Sequence, residues 1–403
     1  KEKPIREEEI VIQATLQRQD TGNEQVLYMG FELGHSTWKL ALGIGGNPRI
    51  IQMPARDLKR LSEEIAKAKK RFGVMNEARV ISCYEAGRDG FWIHRHMLSV
   101  GVENVVVDSS SIEVNRRQRR AKTDRIDATK LYTMLVRYSR GEKGVWSVVR
   151  VPSREDEDER RTHRELERLQ KERGAHSARI KSLLVTQGIV AEVNRNLPQL
   201  LESVRLWDGS SLSRQLKGEV EREYSRMKEV DRQIQEIRRE QRDTVKAATE
   251  GKEGTTWASQ REKAQMVMGL THLRGIGERS AWSLVYEFLW RRFANRREVG
   301  GAAGLVGTPY DSGGGVREQG ISKAGNKRIR RLMVEVGWYW LRYQPGSAIT
   351  MWFNQRFAQG GKRMRRIGIV GVARRLLIAL WKYARFGEVP EGARFKEAGK
   401  VAA

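Results

Sequence analysis

The chain has 403 residues, of which 39% are hydrophobic, and a net charge of +26 from 76 basic and 50 acidic side chains. That length supports two or three domains with a sizeable core, and an excess of this sign points to a polyanionic partner, nucleic acid first and an anionic membrane surface second. No run of about 18 apolar residues is present to span a membrane; a single cysteine, Cys83, excludes intrachain disulfide and cysteine-zinc frameworks, and the six histidines show no metal spacing.

Residues 1–24 read as a polar, disordered tail without the apolar run of a signal peptide. Residues 25–150 then alternate between apolar runs and helical periodicity. Strands are expected over 26–32, 38–44 and 49–53, the last two joined by the turn sequence Gly45-Gly-Asn-Pro48. A helix is expected over 57–72, a strand over 78–84 closed by Glu85, a helix over 91–98, and a strand over 104–108. A further helix over 123–138 turns Ile126, Leu131, Leu135 and Tyr138 toward the core. Three early strands followed by strand–helix alternation predict an α/β domain, with Cys83 a small buried strand residue.

Val151-Pro-Ser153 marks a boundary. Residues 151–255 are expected to form stalk or dimerisation helices. Residues 154–190 are highly charged, with sparse apolar positions at Leu166, Leu169, Ile180, Leu183 and Leu184. A Gly/Pro-bearing connection follows around 194–209, and a second helix carries Leu216, Val220, Tyr224, Met227, Val230, Ile234 and Ile237. Spacings of three and four predict a coiled-coil stalk of two antiparallel helices, about 50 Å long at 1.5 Å per residue. Arg173 and His176 interrupt the seam of the first helix. Residues 256–386 predict a compact, mostly α-helical domain, and residues 387–403 a frayed polar tail.

Within the most basic run, RRQRRAKTDRIDATK, Asp124 and Asp127 stand three apart and so share one helix face. Alone, the pair fits an acidic first helical turn with surface salt bridges as readily as it fits a metal site. Glu32 and Glu85 add two acids at strand ends, where open α/β sheets place their sites. Four converging carboxylates repel unless cations hold them, which points to Mg²⁺ on Glu32, Glu85, Asp124 and Asp127. Arg116, Arg117, Arg119, Arg120, Lys122 and Arg125 would then hold backbone phosphates.

In the C-terminal half, GLVGTPYDSGGGVREQGISKAGNKRIRR sets Ser312 before three glycines and a group of cations, Arg317, Lys323, Lys327, Arg328, Arg330 and Arg331. A flexible loop entering a phosphate-binding helix is one reading. The other makes Ser312 a nucleophile toward a DNA phosphorus, which requires activation and charge stabilisation from elsewhere. Leu273-Arg-Gly-Ile-Gly277 reads either as a helix-hairpin-helix turn, with Arg274, Gly275 and Gly277 on phosphate, or as an ordinary helix connection. Trp338, Tyr339, Trp340 and Trp352 read either as core or as a base-stacking group.

VLYMGFELGHSTWKLAL, CYEAGRDGFWIHR and RRAKTDRIDATKL resemble the RuvC-like, RNase H-type N-terminal domain of the insertion sequence family 110 (DEDD) transposases. GLVGTPYDSGGGVREQGISKAGNKRIRRLM resembles their C-terminal serine domain, with Ser312 at the position of the catalytic serine and Ser322 at a helix entry, where it is expected to cap. The resemblance covers roughly residues 26–145 and 265–385. One position departs: the family's first acid is normally Asp, and here it is Glu32. The resemblance implies a Mg²⁺-assisted recombinase with a phosphoserine intermediate, a composite site in a dimer or tetramer, and a structured guide RNA bridging donor and target DNA. It also implies a bacterial cytoplasmic, nucleoid-associated protein. A metal-dependent junction-resolving nuclease, with Ser312 only binding phosphate, and a non-catalytic nucleic-acid scaffold stay open on the residues alone.

Overall fold

A computed structural model describes residues 25–112, 124–250, 255–312 and 315–397, at 124–126, 249, 255–259, 309–312 and 315–319 by backbone alone. The chain forms two compact units, Lys1–Pro152 and Ser153–Ala403.

The first unit is built on a five-stranded sheet. Its strands are β1 (Leu27–Leu33), β2 (Thr37–Gly43), β3 (Arg49–Pro54), β4 (Val80–Glu85) and β5 (Glu103–Val107), in the order β3-β2-β1-β4-β5. β1, β2 and β3 pair antiparallel, whereas β4 and β5 add on parallel to β1. The helices are α1 (Leu58–Arg71), α2 (Trp92–Ser99) and α3 (Asp124–Ser139). All eight elements fall within one or two residues of their sequence-predicted bounds. Alternation along β1 divides the core between the two faces. Leu27, Met29 and Phe31 join Trp38, Leu40, Leu61 and Met97 on one side, while Tyr28 faces Ala128, Leu131, Tyr132 and Leu135 of α3 on the other. Cys83 is fully buried, and its apolar setting pushes the thiol pKa far up, so it is a packing residue.

The second unit begins with the short α4 (Arg154–Asp158) and the long α5 (Arg160–Val185). After α6 (Leu197–Ser203), the long α7 (Arg214–Thr249) returns antiparallel to α5. Leu166 and Leu169 meet Val230, Ile234 and Ile237 near one end, and Ile180 and Leu184 meet Val220 near the other. The positions that interrupt the apolar seam form a polar layer between these blocks. Arg173 Nε lies 2.5 Å from Asp231, and His176 Nδ1 lies 2.6 Å from the buried Glu223.

Beyond the pair come α8 (Thr255–His272), α9 (Glu278–Leu284) continued by a π-helical turn (Val285–Leu289), and α10 (Arg296–Ala302). The hairpin of β6 (Gly307–Ser312) and β7 (Gly315–Ile321) follows, then α11 (Lys327–Tyr343), α12 (Ala348–Phe357) and α13 (Lys362–Phe386). Their core gathers Leu270, Trp282, Phe288, Met333, Trp340, Leu376 and Leu380.

The polar segment after Gly387, expected to fray, is instead held in place as far as Glu397. Leu273 bridges Phe395, Lys396 N–H donates to the His272 carbonyl, and Lys396 Nζ donates to the Ile276 carbonyl. The fully buried Gln344 side chain donates to the Arg274 and Arg394 carbonyls, 2.8 Å each, and accepts from Arg394 N–H at 2.7 Å. Among the described residues no helix is long and apolar enough to cross a membrane.

Candidate functional site

Glycine at position 30 sets the height of α3 on the sheet. A Cβ there would lie 2.6 Å from Tyr132 N and 2.8 Å from the Ala128 carbonyl, so the helix backbone rests directly on β1. One strand over, at the position paired with Gly30, Cys83 Sγ reaches the Leu131 carbonyl at 3.5 Å. Farther along α3, the Tyr132 hydroxyl accepts from Gly45 N–H at 2.8 Å, beyond the end of β2 that pairs with the start of β1. The helix therefore runs antiparallel to β1 and β4, and its N-terminus rises over their carboxyl ends.

From these contacts the backbone levels of the four predicted acids follow by counting. Glu32 stands two residues beyond Gly30, and Glu85 two beyond Cys83, each on the α3 face of the sheet because side chains alternate. Two strand residues rise about 6.6 Å. Asp124 and Asp127 precede Ala128 and Leu131 by one helical turn, a rise of about 5–6 Å. The four positions thus form the next layer above the Gly30–Ala128 and Cys83–Leu131 contacts, at one rim. Glu85 is exposed, while Glu32 and Asp127 are partly so. Among the described residues, which leave out the Asp124 side chain, no three His, Cys, Asp or Glu side chains lie close enough together to hold a cation. The hairpin register also sets Lys39 directly opposite Glu32, a cation that the spacing of acids in the sequence gave no reason to place at this rim. Arg116, Arg117, Arg119, Arg120 and Lys122 lie outside the described residues, and Arg125 is described by backbone alone.

In the second unit Ser312 is the last residue of β6, opposite Gly315 at the tip of the hairpin, and Arg317 lies on β7 opposite Tyr310. The base of this hairpin is fixed by two close crossings. A Cβ on Gly304 would sit 1.8 Å from the Ala324 carbonyl, and one on Gly325 would sit 2.3 Å from the Ala302 carbonyl; both residues have positive φ. Ser322 N–H donates to Val306 and Asn326 N–H to Ala302, 2.8 Å each. The cap of α11 is Asn326, not Ser322 as expected: its Oδ1 accepts from Arg328 and Ile329 N–H at 3.0 and 3.1 Å. Ser322 lies four residues too early to reach those groups. Between them Lys323 is exposed and holds left-handed backbone, an arrangement that costs about 1 kcal/mol or more in a residue with a side chain.

The predicted cations divide into two sets. Lys323, Lys327 and Arg331 are exposed. Arg328 instead pairs with Glu167 on α5 and approaches Glu287, and Arg330 donates to the Ala303 carbonyl at 3.1 Å. Glu287, in the π-helical turn, is a residue that reading the sequence missed. It is buried and takes hydrogen bonds from His163 Nε2 at 3.0 Å and from Arg164 Nε and Nη2 at 2.5 and 2.9 Å. Burial alone would raise its pKa; hydrogen bonds from Arg164 and His163, with their charges, outweigh that and hold the carboxyl well below the usual range. Asn326 also donates to the Glu287 carbonyl at 3.4 Å, so this one residue ties the start of α11 to α5. Its only sequence signal was an acid inside the apolar run Val285-Tyr-Glu-Phe-Leu289.

Gly275, at the turn of the 273–277 connection, has φ of 85°, and its Cβ would sit 3.3 Å from the Tyr339 carbonyl. Gly277 is the cap position of α9. Arg274 is turned toward the C-terminal segment, donating to the Phe395 carbonyl at 3.1 Å and to Glu397 at 3.0 Å. The aromatic group separates likewise: Trp340 is core, whereas Trp338 and Tyr339 are exposed.

A family model described as "Transposase IS116/IS110/IS902 family" matches residues 269–350, which include the 273–277 turn, Glu287 and Ser312. The chain is 40% identical over 380 residues to "Putative transposase y4rJ" of Sinorhizobium fredii (strain NBRC 101917 / NGR234), covering 92% of this chain and 94% of that protein. It is 28% identical over 268 residues to "Putative transposase y4qE" of the same strain, covering 66% of this chain and 60% of that protein.

Proposed function

The chain belongs to the IS116/IS110/IS902 transposase family, and from that premise we propose that it recombines DNA by serine-mediated strand exchange assisted by a divalent cation. The observation that carries the metal part of this reading is the common height of Glu32, Glu85, Asp124 and Asp127 over the Gly30 and Cys83 contacts. An all-carboxylate donor set suits a hard ion such as Mg²⁺. Those four residues would hold it, and when bound it supplies charge stabilisation to phosphodiester oxygens. The sheet order, three antiparallel strands extended by two parallel ones, supports the RuvC-like reading of this unit. Lys39 opposite Glu32 offsets part of the negative charge of the rim.

Ser312 is the nucleophile in this reading. Its hydroxyl gives up a proton, Oγ bonds to phosphorus, and the phosphorus–oxygen bond to one deoxyribose breaks, that sugar oxygen taking up a proton. A hydroxyl of the incoming strand then attacks the phosphoserine, re-forming a phosphodiester and returning the serine. Bond energy is conserved across both steps, so strands are exchanged without net hydrolysis. The two glycine crossings at 304 and 325 support the assignment, because they fix the hairpin that carries Ser312 against α10 and α11. Exchange between two duplexes needs more than one nucleophile, so the working form is a homo-oligomer. A structured RNA guide belongs to the same proposal.

The test is denaturing electrophoresis of reactions with labelled DNA carrying the mobile-element ends. The wild-type chain is expected to give a protein–DNA adduct that survives denaturation, and Ser312→Ala to give neither adduct nor recombinant. Asp127→Asn is expected to lose Mg²⁺-dependent joining. Strand exchange by Ser312→Ala overturns the nucleophile; cleavage without an adduct in the wild type makes the chain a nuclease instead.

A further inference from the structure

Lys327–Phe386 contains fourteen lysines and arginines and one acid, Glu335. That net +13 is half of the whole chain's +26, held in three helices. Helix α13 alone carries eight cations and no acid. Four of them, Lys362, Arg363, Arg365 and Arg366, fall in its first five residues, where the helix dipole opposes positive charge. Among the described residues none of the four pairs with an acid. Local electrostatics therefore disfavours this arrangement twice over, and a polyanionic partner reverses both terms.

Exposure says what shape of partner fits. Every residue from Gly361 to Ile367 is exposed, including Met364 and Ile367, at 43% and 52%. The first turns of α13 are thus largely open to solvent, and only from Gly368 onward does the helix bury, against Phe353 and Phe357. A helix about 10–12 Å across enters the major groove of duplex DNA, about 12 Å wide. Single-stranded partners instead require open ring faces, and the exposed Trp338 beside this segment already has Arg365 over its ring at 5.9 Å.

We propose that the projecting N-terminal part of α13 is a duplex-DNA docking element, in which Lys362, Arg363, Arg365 and Arg366 engage phosphates and major-groove base edges while Met364 and Ile367 meet apolar groove surface. The proposal rests on the reading of the chain as a DNA-recombining enzyme, but its test is binding alone, which reads out even if Ser312 chemistry fails. Fluorescence anisotropy on the full chain compares a labelled duplex, its single strand and an RNA of the same sequence. Lys362→Gln/Arg363→Gln/Arg366→Gln is expected to weaken duplex binding at least tenfold and to lower the slope of log affinity against log salt by about three, near 0.9 for each phosphate that is no longer neutralised. Protection of guanine N7 from methylation is expected to disappear with it. The matched control Arg238→Gln/Arg239→Gln/Arg242→Gln, on exposed positions of α7, is expected to change duplex binding less than threefold. Unchanged duplex affinity, an equal loss in the α7 control, or a loss confined to single strand or RNA overturns the proposal. Circular dichroism and thermal melting confirm that the variants fold; should the triple variant fail to fold, Arg363→Gln alone is read by the guanine N7 footprint.

Discussion

Glu287 shows how one buried charge can organise a site from behind. Its carboxylate is satisfied by Arg164 and His163 from α5, and Arg328 approaches it from α11. Glu287→Gln keeps the volume and removes the charge, leaving cations without their counter-ion. Arg164 and Arg328 are partly exposed and can be resolvated, so the cost is expected at about 1–3 kcal/mol, read as a lower urea midpoint at pH 7. The pH dependence follows from the direction of the shift. The folded pKa lies below the ordinary value of 4.5, so on acidification the unfolded chain takes up its proton first. The stabilisation is complete above the unfolded value and is lost as pH falls from there toward the folded one. The gap between wild type and Glu287→Gln is therefore expected to narrow between pH 6 and pH 3.5; a gap independent of pH would assign the cost to packing. The role of Glu287 was not legible in the sequence because the groups that satisfy its carboxylate, His163 and Arg164, lie more than a hundred residues upstream. By contrast, Asp124 and Asp127 stood out by their spacing, and Glu32 and Glu85 by closing apolar runs.

Elements were legible wherever a period was clean. The five strands of the first unit alternate or run apolar between turn residues, and α3 repeats its apolar stripe through Leu131 and Leu135. What periodicity does not encode is how closely two elements approach. Gly30 reads in sequence as a weak strand residue, yet it is where α3 touches the sheet backbone to backbone. Neither Tyr132 N nor the Ala128 carbonyl can step aside as a side-chain end would. Gly30→Ala is expected to lose about 1–3 kcal/mol, the usual range for overpacking, and to lift the N-terminus of α3 from the rim. Gly46→Ala, with nothing within 4 Å, is the matched control. Comparing both in thermal melts and strand-exchange assays separates the helix position from a general loss of glycine. The C-terminal segment was misjudged for a related reason. Its polar composition suggested fraying, but its backbone is paired by the buried Gln344. Gln344→Leu takes the partner from the Arg274 carbonyl and the Arg394 N–H, both part-buried, at about 1–3 kcal/mol together, while the Arg394 carbonyl keeps the Arg274 N–H at 3.1 Å. Rapid tryptic cleavage after Arg394 and Lys396 is the expected sign that the segment has come loose; wild-type resistance in the variant would show that the Leu273–Phe395 bridge and the Lys396 and Arg274 hydrogen bonds hold it without Gln344.

At the scale of the whole molecule, charge is the property that composition gave at once and that the fold then distributed. The sequence yields the sign and size of the excess, +26. It does not reveal which cations are spent internally, as Arg164, Arg173, Arg328 and Arg385 are on Glu287, Asp231, Glu167 and Glu262. A cation already paired with a carboxylate releases fewer counter-ions when DNA binds than an unpaired one. The cations left over set the salt dependence of the whole chain. If the excess were only a solubility device, affinity for DNA would be weak at every ionic strength and the slope of its logarithm against log salt would be shallow. If it serves a polyanion, several phosphates are neutralised at once. With six or more phosphate contacts, affinity is expected to fall on the order of a thousandfold between 50 and 200 mM salt. A titration of the wild-type chain on a nonspecific duplex across that range decides between the two. A slope shallower than about three would return the charge to a role in solubility, and with it remove the physical ground for placing nucleic acid, rather than an anionic surface of another kind, against Lys323, Lys327, Arg331 and the first turns of α13.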